Sequence, residues 1–322
     1  MTTGRAKGRT ARTHAYEVAV RAEAALGEGP TWDADAGRLI WIDILGSRVF
    51  TYDPVSGRRT VLATEQHVGA AKPRVGGGLV VNLRDGIGLY GPDSVTGSGP
   101  ESITGSGPDS VTGSGGSTAG GPQEFRWLHR EVVPGRRAND AAVAADGSLW
   151  AGTMRYDEAP GGGSLSRVAP DGTVTTVLDD VAVSNGTGWS PDGRLMYYID
   201  SPTRRIDVFD FDGQQVSNRR QLAIVEEGEG FPDGLTVDAD GCVWVALWDG
   251  GEIRRYTPSG TLDRVVELPV PRPTACAFGG ADLTDLYITT ARTGLEAPHP
   301  LAGSVLVVPG AGRGVPQPAF AG

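Results

Sequence analysis

The sequence predicts an all-β protein, a six-bladed β-propeller, because one unit recurs along the chain with a polar residue always at the same place. Each strong copy opens on an oxygen-bearing side chain and carries Trp or Val four residues later; the opening residues are Glu28, Asn139, Asn185 and Asp233. An Asp stands seven residues after each opening residue, followed by Gly and an apolar segment that ends in Trp or Tyr. This order is typical of a strand, a tight turn and a second strand.

The spacing of the units predicts a closed ring. Asn185 follows Asn139 by 46 residues, and Asp233 follows Asn185 by 48. A four-stranded propeller blade takes ~40–50 residues. Weaker units begin near Arg74 and Thr274 and bring the number of blades to six.

The segments at the two ends of the chain have different expected structures. Residues 15–22 alternate in polarity but have no hairpin partner, so we expect them to pair with residues 305–308 and close the ring without exposed strand edges. The propeller then spans residues 14–310. Residues 1–13 are expected to form a disordered tail, and residues 311–322 a C-terminal tail.

One segment does not fit the repeat. Residues 91–122 consist of the eight-residue string GPDSVTGS, one close copy and one identical copy of it and a Gly-rich end, with almost no bulky side chains. Such a composition predicts a disordered surface loop inserted in a blade. An interaction tether is an alternative interpretation, but a tolerated loop expansion explains the segment more simply.

Composition excludes several classes of function. The 322 residues carry a net charge of −10, which argues against nucleic acid as a partner. No apolar segment approaches membrane-spanning length or follows the basic N-terminal residues as in an export signal, so we expect a cytoplasmic protein without membrane contact. Cys242 and Cys276 fit no metal motif and are expected to be buried, reduced thiols. Nothing in the sequence indicates an obligate protein partner.

The opening residues of the units suggest a metal site. Because each of them begins the same strand of its blade, a ring would bring all four to one end of the central channel. Taken singly, such polar residues could equally cap turns. Asp43 and Asp200 each lie fifteen residues after an opening residue and return to the same end, where we interpret them as supporting or structural.

Several segments at blade spacing resemble the regucalcin and gluconolactonase family, also called the senescence marker protein family. The resemblance covers residues 15–308 apart from the insert. It rests on Leu26–Trp32, Arg137–Asp140, Gly152–Met154, Ser184–Gly186, Trp189–Gly193, Tyr198–Ser201 and Phe231–Gly234. It implies a six-bladed propeller that hydrolyses sugar lactones with a divalent cation in its channel.

Position by position, the resemblance assigns the metal to Glu28, Asn185 and Asp233. Two carboxylates and an amide oxygen suit Ca²⁺ best, with Zn²⁺, Mn²⁺, Mg²⁺ or Fe²⁺ as alternatives, and three protein ligands leave positions open for water and substrate. A carboxylate beside the cation could deprotonate a water, and we predict that Asp233 is this catalytic base as well as a ligand.

The resemblance assigns the substrate hydroxyl groups to Arg137, Asn139 and Asp157. Two departures from the family pattern occur here. Ala141 replaces the usual Gly, a small change, and Asp157 stands where the family often has Glu, which shortens the reach by one methylene and affects the sugar preference.

Three functional hypotheses follow. The first is metal-dependent hydrolysis of a small-molecule sugar lactone, gluconolactone or a related aldonolactone. The second is hydrolysis of other lactones or of phosphotriesters by the same cation. The third is a calcium-binding regulatory protein without enzymatic turnover. Arg137, Asn139 and Asp157 favour a polyhydroxylated ligand and therefore the first.

Overall fold

The computed structural model describes residues 11–13, 15–91 and 124–322. Their strands form six small sheets, and the first strands of successive blades pack against one another around a ring in which the sixth blade meets the first. The fold is therefore the six-bladed β-propeller that the repeat predicts. Within the described part of the chain, no helix is long and apolar enough to span a bilayer.

Each blade is an antiparallel sheet whose first strand lines the central channel. Two strands precede the first blade: β1 (Ala11–Thr13) and β2 (Glu17–Val20). Blade one contains β3 (Gly27–Asp33), β4 (Arg38–Asp43), β5 (Arg48–Tyr52) and β6 (Arg59–Ala63). Blade two contains β7 (Val68–Pro73), β8 (Leu79–Leu83), β9 (Gly86–Tyr90) and β10 (Phe125–Arg130). Blade three contains β11 (Arg136–Val143), β12 (Leu149–Arg155), β13 (Gly163–Val168) and β14 (Val174–Val181).

The remaining blades follow the same order. Blade four contains β15 (Ser184–Trp189), β16 (Leu195–Asp200), β17 (Arg205–Phe211) and β18 (Val216–Ile224), with a 3₁₀ turn at Ser201–Thr203. Blade five contains β19 (Phe231–Val237), β20 (Val243–Trp248), β21 (Glu252–Tyr256) and β22 (Leu262–Glu267). Blade six contains β23 (Pro273–Gly279), β24 (Asp285–Thr290) and β25 (Val305–Val308).

The aromatic residues that end the apolar part of each repeat form the core between blades. Trp41, Trp150, Tyr197 and Trp244 occupy the second strands of their blades and are almost completely buried. Large rings at this position fill the wedge-shaped space between twisted sheets. Cys242 and Cys276 are buried and free, which confirms the predicted thiols.

The N-terminal strand closes the ring. Glu17 of β2 pairs with Val307 of β25, and Val18 pairs with Leu306, so β2 is the fourth strand of blade six. The predicted pairing of residues 15–22 with residues 305–308 is confirmed. Blade six is thus built from both ends of the propeller.

The predicted disordered tail is wrong for its last residues. β1 pairs in parallel with β22, with Ala11 opposite Arg264, and forms a fifth strand on blade five. Arg12 makes an ion pair with Glu267 at 2.5 Å and lies 3.8 Å from Glu252. The strand is short and polar, so its order depends on this acidic edge of another blade, which the local sequence does not reveal. Residues 1–10 lie outside the described residues.

The second blade begins earlier than the sequence predicts. Its first strand, β7, ends before Arg74, the residue at which we expected the blade to start. Small residues open this strand because it packs tightly against β11: a Cβ on Gly69 would lie 2.4 Å from the carbonyl oxygen of Asn139. Blade two therefore lacks the polar opening residue by which the other units are recognised.

The C-terminal tail lies across the ring at the end opposite the openings of the first strands. We call residues 311–322 the C-terminal segment. Its backbone is hydrogen-bonded to four blades, through Gly314 to Leu283, Arg313 to Ala239, Phe320 to Pro73 and Ala321 to Gly147. The side chain of Phe320 is completely buried. The segment is a packed part of the domain.

The insert joins two paired strands of blade two. Its residues 92–123 lie outside the described residues, but Tyr90 pairs with Phe125, and the Gly91 N–H donates to the Glu124 carbonyl at 2.9 Å. Because the flanking strands are already paired, replacing residues 91–122 by a Gly-Asn turn should leave turnover unchanged and the melting temperature unchanged or slightly raised, since shorter loops cost less closure entropy. Thermal unfolding and lactone hydrolysis test this. A large fall in either would show that the insert packs against the blades.

Candidate active site at one end of the channel

The four opening residues meet at one end of the central channel, which we call the channel mouth. Glu28 lies on β3, Asn139 on β11, Asn185 on β15 and Asp233 on β19, and all four side chains are buried. They converge because each stands at or near the start of the strand that lines the channel. Polar groups buried this deeply need hydrogen-bond partners, and among these four the side chains of Asn139 and Asn185 bond to each other.

A chain of hydrogen bonds connects the cationic and amide groups of the mouth. Arg137 Nη1 donates to Asn139 Oδ1 at 2.7 Å, and Asn139 Nδ2 donates to Asn185 Oδ1 at 3.2 Å. Asn185 Nδ2 donates to Ser201 Oγ at 2.8 Å. With its amide nitrogen committed to Ser201, Asn185 presents its oxygen to the channel. The two amides therefore have defined orientations, with donors and acceptors at fixed places.

The charged forms of the two carboxyl groups at the mouth are less stable than they would be in water. The pKa of Glu28 is raised to about 8, first by burial and then by the negative charge of Asp140. Burial also raises the pKa of Asp233 well above its usual range, with the charge of Glu28 as the next cause. Oδ1 of Asp233 is buried and has no hydrogen-bond partner among the described residues. A positive group between these acids would stabilise both of their charged forms.

Two charged residues of the channel were missed by the sequence analysis. Asp140 follows Asn139 directly, and burial raises its pKa while the charge of Lys72 lowers it. Lys72 is buried on β7, where its ammonium donates to Thr31 Oγ1 at 2.7 Å. Asp140 could have been found as half of the Asn-Asp pair. Lys72 could not, because blade two carries no repeat signal that places it in the channel.

Asp157 lies apart from the buried group. It follows β12 at the rim of the mouth, is exposed, and accepts hydrogen bonds from Arg155 Nε at 2.7 Å and Nη2 at 2.5 Å. Arg155 accordingly lowers the pKa of Asp157 to about 2. The structure thus brings together the other predicted site residues but does not place Asp157 among them.

Two aromatic residues flank the mouth beside Arg137. Tyr156 OH and His67 Nδ1 are 2.8 Å apart, and the ring centres are separated by 5.7 Å. Burial lowers the pKa of His67, with the charge of Arg137 as the next cause, which favours the neutral imidazole. The phenol is 44% exposed and can hydrogen-bond a ligand that enters here. Neither residue was assigned to the site from the sequence.

Asp43 and Asp200 hold the segments that lead into the mouth. Asp43 accepts hydrogen bonds from the N–H groups of Ala25 and Leu26, both at 3.0 Å, just before Glu28. Asp200 accepts from the N–H groups of two residues that precede β15, Ala182 and Val183. The two carboxylates fix equivalent turns in two blades, which agrees with the supporting role expected from their spacing.

The channel mouth differs from a metal site built only from His, Cys, Asp and Glu side chains. Within residues 11–13, 15–91 and 124–322, no group of three or more His, Cys, Asp and Glu side chains is arranged to hold a metal ion. The predicted set instead combines two carboxylates, Glu28 and Asp233, with the amide of Asn185. Its donors are all oxygen atoms, a composition that suits hard divalent cations.

Comparison with known proteins places the chain in a family. Residues 26–292 match the family model described as the SMP-30/Gluconolactonase/LRE-like region. Regucalcin of Danio rerio is 33% identical over 95% of this chain and 98% of its own length. A Bacillus subtilis protein with the provisional name sugar lactone lactonase YvrE is 33% identical over 83% of this chain and 84% of its own length.

A solved structure shows the same architecture. The crystal structure of a calcium-binding protein, regucalcin from Agrobacterium tumefaciens, superposes with a TM-score of 0.83 at 25% identity, covering 96% of this chain and 98% of that chain. The family model covers most of the propeller, from the segment before Glu28 to the last channel-lining strand and beyond it. The chain therefore belongs to the SMP-30/gluconolactonase/LRE-like family.

Proposed function

We propose that this protein hydrolyses a sugar lactone to the aldonic acid, using one divalent cation held by Glu28, Asn185 and Asp233. The observation that carries the proposal is the convergence of two buried carboxyl groups and a fixed amide oxygen, with Asp233 Oδ1 lacking a partner among the described residues. The family membership and the lactonase name of the Bacillus subtilis relative support the same reaction class.

The residues at the mouth fit a divalent cation. An orphaned buried carboxylate oxygen costs free energy unless a positive group or donor satisfies it, and the nearby Glu28 adds a second negative charge. Ca²⁺ prefers such oxygen ligands and accepts irregular geometry, so we favour it over Zn²⁺, Mn²⁺, Mg²⁺ or Fe²⁺. The name of the Agrobacterium regucalcin as a calcium-binding protein points the same way.

Hydrolysis assigns a separate task to each residue. A divalent cation at this place would polarise the lactone carbonyl and stabilise the charge that develops on its oxygen. Asp233 takes the proton of the attacking water, a role open to a carboxylate whose Oδ1 has no hydrogen-bond partner among the described residues. Water adds to the carbonyl carbon, the ring C–O bond breaks, and the proton passes to the departing ring oxygen. The product is the open-chain hydroxy acid.

The residues around the mouth would orient the hydroxyl groups of the substrate. The guanidinium of Arg137 has five N–H donors, of which one nitrogen is occupied by Asn139 and by the carbonyl of Ala138. Tyr156 offers a phenolic hydroxyl beside it. Asp157 can accept a hydrogen bond from a substrate hydroxyl at the rim, after release from Arg155. A polyhydroxylated lactone matches this ring of donors and acceptors better than an apolar ester does.

A lactone panel tests the proposal. Hydrolysis of gluconolactone, a pentonolactone, γ-butyrolactone and a phosphotriester can be followed with a pH indicator after metal removal and after addition of Ca²⁺, Mn²⁺, Zn²⁺, Mg²⁺ or Fe²⁺. We expect the metal-free protein to be inactive and sugar lactones to be preferred once metal is restored. Tight Ca²⁺ binding without hydrolysis of any substrate would favour a regulatory protein instead. Equal activity with and without metal would exclude the proposed cation.

A further inference from the structure

The channel contains a cavity at the end opposite the mouth. Its volume is about 560 Å³, within the range of roughly 300–1,000 Å³ for small-molecule sites. The far ends of the channel-lining strands form its walls, and residues Val315 to Pro318 of the C-terminal segment cover it. None of the residues predicted for the mouth lines this space. We call it the far-end cavity.

A buried lysine supplies its only positive charge among the described lining residues. Lys72 is 8% exposed, and its single hydrogen bond in the described structure goes to Thr31 Oγ1 at 2.7 Å. No carboxylate of the described residues lies within ion-pair distance of Lys72. Because the ammonium makes one hydrogen bond, two of its three N–H groups are uncommitted. Burial lowers the pKa of Lys72, and Asp140 and Glu28 oppose this only through their charges. A buried ammonium without a close counter-ion is unfavourable.

The rest of the wall is mostly apolar and partly aromatic, and the one carboxylate among its described lining residues, that of Asp146, is paired with Arg167 Nη2 at 2.6 Å. Trp189 and Phe211 line the cavity with their ring centres 6.0 Å apart, and Val143 and Leu235 line it beside them. Gln317 of the C-terminal segment also lines it, and its buried Oε1 has no hydrogen-bond partner among the described residues. The cavity thus combines a cation, a flat apolar wall and an unsatisfied acceptor.

The cover over the cavity is fastened only at its two ends. The N–H of Gly314 donates to the carbonyl of Leu283, and the N–H of Phe320 donates to the carbonyl of Pro73, both at 2.8–2.9 Å. Between these anchors, residues 315–318 make no backbone hydrogen bond to any described residue. Displacement of this span would break no hydrogen bond of a sheet. The span therefore offers a route by which a small molecule can enter the cavity.

We propose that the far-end cavity is a second ligand site, which binds a small organic anion whose carboxylate pairs with Lys72 and whose flat apolar body lies against Trp189. A metal cation is disfavoured by the ammonium, and a purely apolar ligand would leave that charge unpaired. This site is separate from the channel mouth and does not depend on the reaction proposed there.

Benzoate is a suitable probe, with benzamide as its neutral counterpart of the same shape. Calorimetry and tryptophan fluorescence on the full chain with saturating Ca²⁺ should show saturable benzoate binding, at least tenfold tighter than that of benzamide. Lys72→Met should weaken benzoate at least tenfold and remove the preference over benzamide, whereas Lys72→Arg should retain both. The matched control is Arg137→Ala, which removes a cation from the mouth and should bind benzoate normally.

Several results would overturn the proposed ligand site in the far-end cavity. Absence of saturable binding to the wild type, or equal binding to the wild type and Lys72→Met, would overturn the proposal, as would loss of binding in Arg137→Ala alone. If Lys72→Met fails to fold, a crystal of the wild type soaked in 4-bromobenzoate decides the question. An anomalous bromine peak beside Trp189 supports the site, and a peak at the mouth or none refutes it.

Discussion

Replacing Asp233 with Asn is expected to lower turnover about 10²–10⁴-fold, the usual contribution of a general base, and to weaken metal binding at the same time. The amide keeps the volume of the carboxyl but cannot accept the proton of water and carries no charge. Because the base is lost as well as the ligand, saturating metal should restore little activity. Calorimetric titration with Ca²⁺ and lactone hydrolysis at several metal concentrations measure the two effects separately.

The matched control for this change is Asp192→Asn. Asp192 belongs to the same repeat as Asn185 but lies exposed in a turn, where it accepts hydrogen bonds from Ser190 and the N–H of Arg194. Turnover and metal binding of this variant should match the wild type. An Asp233→Asn protein that retains full metal occupancy and normal turnover would disprove both roles assigned to Asp233.

Replacing Arg137 with Ala should affect the substrate and spare the metal. Hydrogen bonds to a charged group contribute about 1.5–3 kcal/mol, so kcat/KM for gluconolactone should fall about 10–100-fold. Metal affinity should stay the same or increase slightly, since Arg137 lies near Glu28 and Asp233 and its positive charge repels a cation. Steady-state kinetics and calorimetry distinguish this variant from Asp233→Asn.

Two controls make the Arg137 result specific. Arg136→Ala removes the neighbouring arginine, which is paired with Glu131 outside the channel, and should leave the kinetics unchanged. The substrate control is γ-butyrolactone, which lacks hydroxyl groups on its ring, so its hydrolysis should hardly respond to Arg137→Ala. An equal loss for both lactones would mean that Arg137 acts on the reacting carbonyl or on the fold.

The repeat predicts the fold and most of the mouth because it is a local pattern with a geometric consequence. Glu28, Asn139, Asn185 and Asp233 share a position in their units, and the symmetry of a ring then makes them neighbours. The closing strand was predictable for a similar reason, since an alternating segment without a hairpin partner must pair elsewhere. These inferences need only strand periodicity and the number of units.

The features that the sequence does not reveal depend on partners from distant segments. The strand at Ala11–Thr13 exists because Arg12 meets Glu267 on the edge of another blade. Lys72 looks like an ordinary strand lysine until β7 is known to line the channel. Asp157 matches a family position, yet its carboxylate is paired with Arg155 at the rim. Spacing alone cannot show that Arg155 competes with the substrate for this carboxylate.

The pairing of β2 with β25 also constrains the order in which the protein can form. β2 is synthesised before the four strands of each of blades one to five, whereas its partner β25 follows all of them, so blade six cannot be completed until those five blades have been made. Contacts between such remote segments slow folding, because the long intervening chain must be ordered before they are gained. Five blades can thus acquire their internal hairpins before β25 is made, whereas the sixth blade and the closed circle form only after it.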